Sequence, residues 1–350
     1  MFDALPWRWV PLAAALLLSG CSTLDYYSHL AGGHLQLLQA REPIAELLEN
    51  PAAAPELKQR LALAQQARDF ASAQLSLPSN DSYRLYADIQ RPFVVWNVFA
   101  TPEFSLSPEL HCFPIAGCVA YRGFYSQGRA RGSAALLKQQ GLDIYLGGVE
   151  AYSTLGWFDD PILNTMLRWS DERLVAVIFH ELAHQQLYVA DDTAFNESFA
   201  SFVEREGLRQ WRAKQGLQPS DPQGEQQREQ FIALVMASRA RLQQLYDSDL
   251  PPTQMRSGKQ AEIARLRAEY HALSEREWGG SGRYDDWINA PINNAKLLPF
   301  GLYDQWVPAF AALFEQVERD WPRFYERVAA LGKLPETERH QALAELSAGS

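Results

Sequence analysis

The chain has 350 residues, with 32 Lys and Arg against 42 Asp and Glu and a net charge of −10. Its 47% of apolar residues suffice for one sizeable catalytic unit with a helical elaboration. The acidic balance, with no basic cluster interleaved with aromatics, argues against nucleic acid as a partner.

The N-terminus decides where the chain works. The apolar run from Leu12 to Leu18 is far too short to span a bilayer, but it has the length of a signal-peptide core; Arg8 is the only basic residue ahead of it. It leads into Leu18, Ser19, Gly20 and Cys21, which resembles the bacterial lipobox, in which the Cys is acylated and becomes the first mature residue. The resemblance implies a signal peptide over residues 1–20 and a body in the periplasm, tethered to the membrane by lipid at Cys21. Ser22 after the Cys implies sorting to the outer membrane. An uncleaved or ordinary signal sequence is the alternative.

Residues 26–75 read as two or three helices broken at Pro43 and Pro51, with Leu35, Leu38, Ile44 and Leu47 at helical spacing. From Phe93 to Phe124 the composition turns to Val, Phe, Trp and Tyr with Pro and Gly breaks, and strands are expected. Within that stretch Cys112 and Cys118 are the two cysteines left once Cys21 is lipidated, and an exported chain with an even pair predicts a disulfide. A second metal site with His111 is the competing reading, though it lacks a fourth ligand. A short helix follows over residues 134–140, then a strand over 143–147, and a further strand or pair of strands over 149–158.

The next segment carries the chemistry. His180, Glu181, Leu182, Ala183 and His184 form an H-E-x-x-H motif, and a helix puts its first and fifth residues on one face, where two imidazoles grip one zinc ion. Glu181 stands one step round, able to reach a water at the metal without being a ligand. Leu174, Val175, Val177, Ile178, Leu182 and Leu187 predict a mostly buried helix. The pattern with a third His six residues on fails, because Leu187 and Ala190 stand where it needs Gly and His. Asp191, Asp192 and Thr193 are helix-start residues, and Phe195, Phe199 and Phe202 predict a second amphipathic helix, which carries Asn196 and Glu197. His29, His34, His271 and His340 show no partner pattern and are read as surface or core residues.

H-E-L-A-H followed by N-E-x-F-A resembles the gluzincin metallopeptidases, in which a Glu on the following helix completes the zinc site. That resemblance implies His180, His184 and Glu197 as ligands, although the 12 residues from Gln185 to Asn196 are a shorter spacing than in the thermolysin and alanyl aminopeptidase groups and require a tighter inter-helix turn. Together with residues 151–161 (AYSTLGWFDDP) and 293–297 (NNAKL), the motif also resembles a family of bacterial lipoproteins described as zinc aminopeptidases. By resemblance a later Tyr stabilises the oxyanion, and Tyr303 is the first choice with Tyr284 second. An aminopeptidase also needs an anion for the substrate's ammonium group, and Glu150 loosely matches the exopeptidase strand of alanyl aminopeptidases, with Asp159 and Asp160 as alternatives. Trp157 is a candidate for the side-chain pocket or for the core.

Residues 209–282 are rich in Gln, Arg and Glu, with apolar faces on either side of Pro251 and Pro252, and predict an antiparallel helical hairpin. From Trp287 the chain is again helical. The expected fold is α+β: a mostly helical zincin-like metallopeptidase core with a small β region before the H-E-x-x-H helix and a helical hairpin insertion. Its parts are an N-terminal helical region (21–92), the catalytic core (93–208), the hairpin (209–282) and a C-terminal helical region completing the catalytic domain (283–350). The expected function is a zinc-dependent peptidase of the cell envelope, an aminopeptidase in which Glu181 acts as general base on peptide substrates. The alternatives are a zinc endopeptidase and a non-catalytic lipoprotein whose zinc staples two helices as a scaffold or binding protein; the intact Glu181 favours catalysis, since a closed structural site has no need of it.

Overall fold

The structure, a computed structural model, describes residues 10–113, 117–151, 153–218 and 221–348. The expected signal peptide falls partly outside the described residues, at positions 1–9, and so does the side chain of Cys21. The chain opens with helix α1 (Val10–Gln39), strand β1 (Arg41–Pro43) and helices α2 (Ile44–Glu49) and α3 (Pro55–Leu75). The β region holds β2 (Leu85–Ala87), β3 (Val95–Thr101), β4 (His111–Phe113), β5 (Gly117–Val119) and β6 (Arg122–Phe124). After it come α4 (Gln127–Gln139), β7 (Asp143–Val149) and β8 (Ile162–Leu163). The remainder is helical: α5 (Asp171–Gln186), α6 (Thr193–Lys214), α7 (Pro222–Tyr246), α8 (Pro252–Glu277), α9 (Asp285–Asn289), α10 (Asn294–Tyr303), α11 (Val307–Gln316), α12 (Trp321–Gly332) and α13 (Glu336–Ala348). Among the described residues no helix is long and apolar enough to cross a membrane.

Local chemistry explains most of these boundaries. Pro55, Pro222, Pro252 and Pro322 sit in first turns, where the missing N–H would have had no partner. Ser126, Ser170 and Asp192 accept backbone N–H bonds at the starts of α4, α5 and α6. The first of these caps starts α4 seven residues earlier than its Ala and Leu content predicted, because Gly128 and Gly132 masked the helical pattern. The strand expected over 149–158 is realised only to Val149. Leu155 and Gly156 lie in the left-handed region at φ 57° and 81°, which breaks an extended ladder. The buried carboxylate of Asp160 instead accepts the Thr154 N–H at 2.8 Å and folds the segment into a loop.

Among the described residues three small sheets result, with orders β1-β2-β8, β6-β3-β7 and β4-β5. In the second, β3 is antiparallel to both neighbours and pairs Val95 with Val149 and Thr101 with Asp143 at its two ends. In the third, Cys112 and Cys118 face each other across the ladder and are joined by a disulfide. One continuous core runs from Leu37 to Leu343 and takes in α3, α5, α6 and α11 to α13. The N-terminal and C-terminal regions therefore pack into the same core as the H-E-x-x-H helix. Phe195 and Phe199 of α6 meet Phe310 edge-on, with ring centroids 5.3 Å apart for the first pair, Phe202 meets Phe314 edge-on, and Phe199 stacks on Phe324. Each such pair adds about 0.5–1.5 kcal/mol to the burial of the rings. The hairpin of α7 and α8 has its own cluster around Phe231, Leu242, Leu266 and Tyr270.

Gly207 of α6 lies tight against α3 and α5. A Cβ there would lie 2.7 Å from Leu75 and 2.9 Å from Phe179, both of which are fully buried. Gly207→Ala should gain roughly 0.5–1 kcal/mol from helix propensity and lose about 1–3 kcal/mol from overpacking. The clash wins, so the variant should melt at a lower temperature and at lower denaturant than the parent, measured by calorimetry and by urea titration.

Candidate metal centre and catalytic cavity

α5 is buried through residues 178–184, so His180, Glu181 and His184 are held by packing on every side but one. The open side faces a cavity of about 410 Å³. α6 must then return a carboxylate to the two imidazoles after a short connection, and its first turn is built for that. Asp191 takes a left-handed conformation at φ 69°. Asp192 caps the helix by accepting the Phe195 N–H at 2.9 Å, and is itself held by Arg339 and His340 of α13 at 2.8 Å each. The amide of Asn196 locks the turn shut, donating to the Val189 carbonyl at 2.7 Å and accepting its N–H at 2.8 Å.

Glu197 is thereby placed against the histidines. The two Nε2 atoms of His180 and His184 lie 3.2 Å apart, and Glu197 Oε2 lies 3.4 Å from the first and 3.7 Å from the second. A tetrahedral zinc with bonds of about 2.0–2.1 Å requires donor atoms roughly 3.3–3.4 Å apart. The triangle fits that requirement, and all three residues are buried. At these distances the imidazoles meet Glu197 Oε2 only loosely, and a buried carboxylate oxygen so placed is well served by a cation between the donors.

Electrostatics point the same way. Burial alone would raise the pKa of the Glu197 carboxyl, but His184 and His180 outweigh it and bring it down to about 2. Burial alone would hold His180 neutral; the carboxylates of Glu197 and Glu204 overcome it and push its pKa well above the usual value. The carboxylates and imidazoles thus stabilise one another's charges, an arrangement that a cation between the donors fits. Glu204 accepts from His180 Nδ1 at 2.9 Å, which fixes the ring so that Nε2 faces the triangle. The sequence reading missed Glu204. Its signal was the spacing from Glu197, seven residues or two turns along one face of α6.

Glu181 lines the cavity beside this triangle, and its pKa is raised by burial against the lowering influence of His180 and His184. Tyr303 also lines it, with its ring stacked on His180 at 6.3 Å, and burial followed by the charge of Glu197 keeps its hydroxyl protonated. Two further phenols face the same space and were not singled out from sequence. Burial raises the pKa of Tyr121, and that of Tyr188 is pushed up to about 12. The rest of the wall is largely apolar, with Val95 and Val149 from the paired strands, Val119 and Phe113 from the disulfide hairpin, and Leu30 from α1.

Other expected residues lie elsewhere. Glu150 is a correction: it follows β7 but is absent from the cavity lining, and its carboxylate accepts from Trp169 Nε1 at 2.6 Å and Arg173 at 3.1 Å. Its charge is already met, so it is not placed to receive an ammonium group. Tyr284 is stacked on Phe231 at 3.9 Å in the hairpin cluster. Asp160 is buried, with its pKa raised to about 6 by desolvation, and serves the loop it caps. Trp157 is 66% exposed and belongs to neither core nor cavity. His111 and the two cysteines do not form a second metal site, since both sulfurs are in the disulfide.

A family model described as "Putative aminopeptidase" matches residues 25–343. No curated protein and no solved structure matches the chain.

The purified protein should bind one zinc per chain, measured by metal analysis after dialysis. His180→Ala and His184→Ala should abolish binding. Glu204→Gln, which leaves every ligand in place, should still weaken it about 10- to 100-fold. Unchanged affinity in Glu204→Gln would remove that residue from the centre.

Proposed function

The chain belongs to the family described as "Putative aminopeptidase", and from that premise we propose that it is a zinc-dependent aminopeptidase with a zincin-like core, hydrolysing peptides in the cell envelope. The observation that carries the reading is the convergence of His180 Nε2, His184 Nε2 and Glu197 Oε2 on one point, with Glu181 beside it on the cavity wall. Zinc held by these residues would supply Lewis acidity to water and to the scissile carbonyl. The protein's own groups do the rest. Glu181, buried and raised in pKa, takes the proton of the attacking water and carries it to the leaving amine. Tyr303 keeps its proton and offers an O–H donor to the oxyanion that forms. Glu204 holds the His180 ring in its working tautomer. The apolar wall of Val95, Val149, Val119, Phe113 and Leu30 suits an apolar side chain next to the cleaved bond.

One observation favours a second reading, that of an endopeptidase. Among the described lining residues the carboxylates are Glu181 and Glu197, and Glu150 is paired with Arg173. Both carboxylates that remain are engaged in the chemistry.

Glu181→Gln should lower kcat on a free-N-terminus peptide by at least about 10²-fold, the lower range for loss of a general base, while zinc content and melting temperature stay as in the parent. Retained turnover would end the assigned role. The N-acetylated twin of the same peptide divides the two readings: poor cleavage by the parent supports the aminopeptidase, and equal cleavage replaces it with the endopeptidase.

The envelope location rests on the lipobox resemblance at residues 18–21 and on the exported character of the disulfide. Cys21→Ser should block maturation, so that the chain runs as the longer precursor and takes up no radiolabelled fatty acid. Normal processing of that variant would contradict lipidation.

A further inference from the structure

Nine large apolar side chains are exposed among the described residues, and five of them gather at one place. Leu24, Tyr27 and Leu35 are 72%, 39% and 54% exposed on α1, and Trp157 and Phe158 are 66% and 49% exposed on the loop beside it. At 100° per residue Leu24, Tyr27, Ala31 and Leu35 fall within roughly 80° of one another, so they form a single stripe along the outer side of the helix. Phe158 packs on His34 with ring centres 4.6 Å apart, and Arg41 donates to the Asp159 carbonyl at 3.0 Å, which brings the loop alongside the stripe. The loop itself is braced from beneath by Asp160 through the Thr154 N–H.

The opposite side of α1 is bound firmly to the body. Tyr26 donates to the Gly123 carbonyl at 3.0 Å, His29 Nε2 accepts the Tyr125 N–H at 3.1 Å, and Asp25 pairs with Arg129 at 2.5 Å. A Cβ on Gly33 would lie 2.3 Å from the Tyr125 ring, so the helix cannot be lifted or turned without separating this contact. The same inner side sends Tyr26 and Leu30 into the cavity that holds the metal triangle.

We propose that the outer stripe of α1, with Trp157 and Phe158, docks on the surface of a phospholipid bilayer, so that the cavity lies one helix thickness from the lipid. The occupant follows from continuity within the helix. The stripe begins about one turn after Cys21, on the same helix, so that in the lipid-anchored chain it follows directly on the acylated residue. An acylated Cys21 sits at the bilayer surface, and a helix fixed to it whose outer side is apolar and whose inner side is attached to the protein lies along that surface. Tyr and Trp at the stripe's edges are the residues that settle at the headgroup level. The patch has no accompanying cluster of Lys or Arg, so its attachment is by apolar burial and is insensitive to anionic lipid and to salt.

This inference rests on the lipid-anchored reading and not on peptidase activity, and the test separates the two. The full chain is reconstituted into zwitterionic phosphatidylcholine vesicles, and attachment is scored by flotation. An environment-sensitive fluorophore is placed on a single thiol in Leu35→Cys, Trp157→Cys or, as a distant control, Leu250→Cys, with the Cys112–Cys118 disulfide left intact. Positions 35 and 157 should give blue-shifted, several-fold brighter emission that spin-labelled lipid quenches and 0.5 M salt leaves unchanged, while position 250 should report water. A chain that floats with all three probes in water overturns the docking and keeps the anchor. A chain that does not float overturns both. A response of the two probes to peptide substrate without vesicles, or to protein concentration alone, would reassign the patch to the substrate cleft or to self-association.

Discussion

The centre depends on one constraint, the return of a carboxylate to two histidines across a connection of only a dozen residues. A longer loop would have let α6 find its place by packing alone. Here the turn itself must be rigid, and three of its polar residues hold it: Asp191 in a left-handed conformation, Asp192 as cap, and Asn196 bonded twice to Val189. The first of these also accepts the Cys118 N–H at 2.6 Å, and the second is gripped by Arg339 and His340. Two distant parts of the chain, the disulfide hairpin and the last helix, are thus recruited to hold a single bend.

The sequence carried the parts of this that are periodic. H-E-x-x-H announces two ligands because a helix repeats every 3.6 residues, and Phe195, Phe199 and Phe202 announce the next helix for the same reason. Glu197 was legible through resemblance. What was not legible depends on which way a side chain turns at a boundary. Glu150 stands one residue past the end of a strand, where the alternation of the ladder no longer fixes which way a side chain turns, and it turns to Trp169 and Arg173. Tyr121 and Tyr188 lie in connections with no repeat, so nothing in their spacing marked them, and Glu204 was visible only once Glu197 had fixed which face of α6 mattered.

Charge explains how Glu181 and Glu197 can be buried together, with Glu204 half-buried beside them. Glu181, Glu197 and Glu204 are gathered around two imidazoles, and mutual repulsion in a medium of low polarisability would be severe without a compensating cation. The carboxylates push the pKa of His180 well above its usual value, so its imidazolium can serve as that cation. A divalent ion held by the same donors would supply twice that charge and displace the proton, which would tie metal uptake to the titration of the site. The surrounding phenols fit this balance, since Tyr121, Tyr188 and Tyr303 all keep their protons beside the carboxylates and contribute donors without adding negative charge.

The disulfide hairpin takes part in two features at once. Phe113 and Val119 line the cavity, and the Cys118 N–H between them is bonded to Asp191 at the root of the helix that carries Glu197. Gly117 is required there, because any side chain would collide with Asp191 at 2.6 Å. The covalent bond therefore stiffens a stretch that lines the cavity and touches the root of α6 at once. If the chain is exported as proposed above, that stiffening would come only after passage to an oxidising compartment, and the last adjustment of the candidate centre would belong to the protein's maturation.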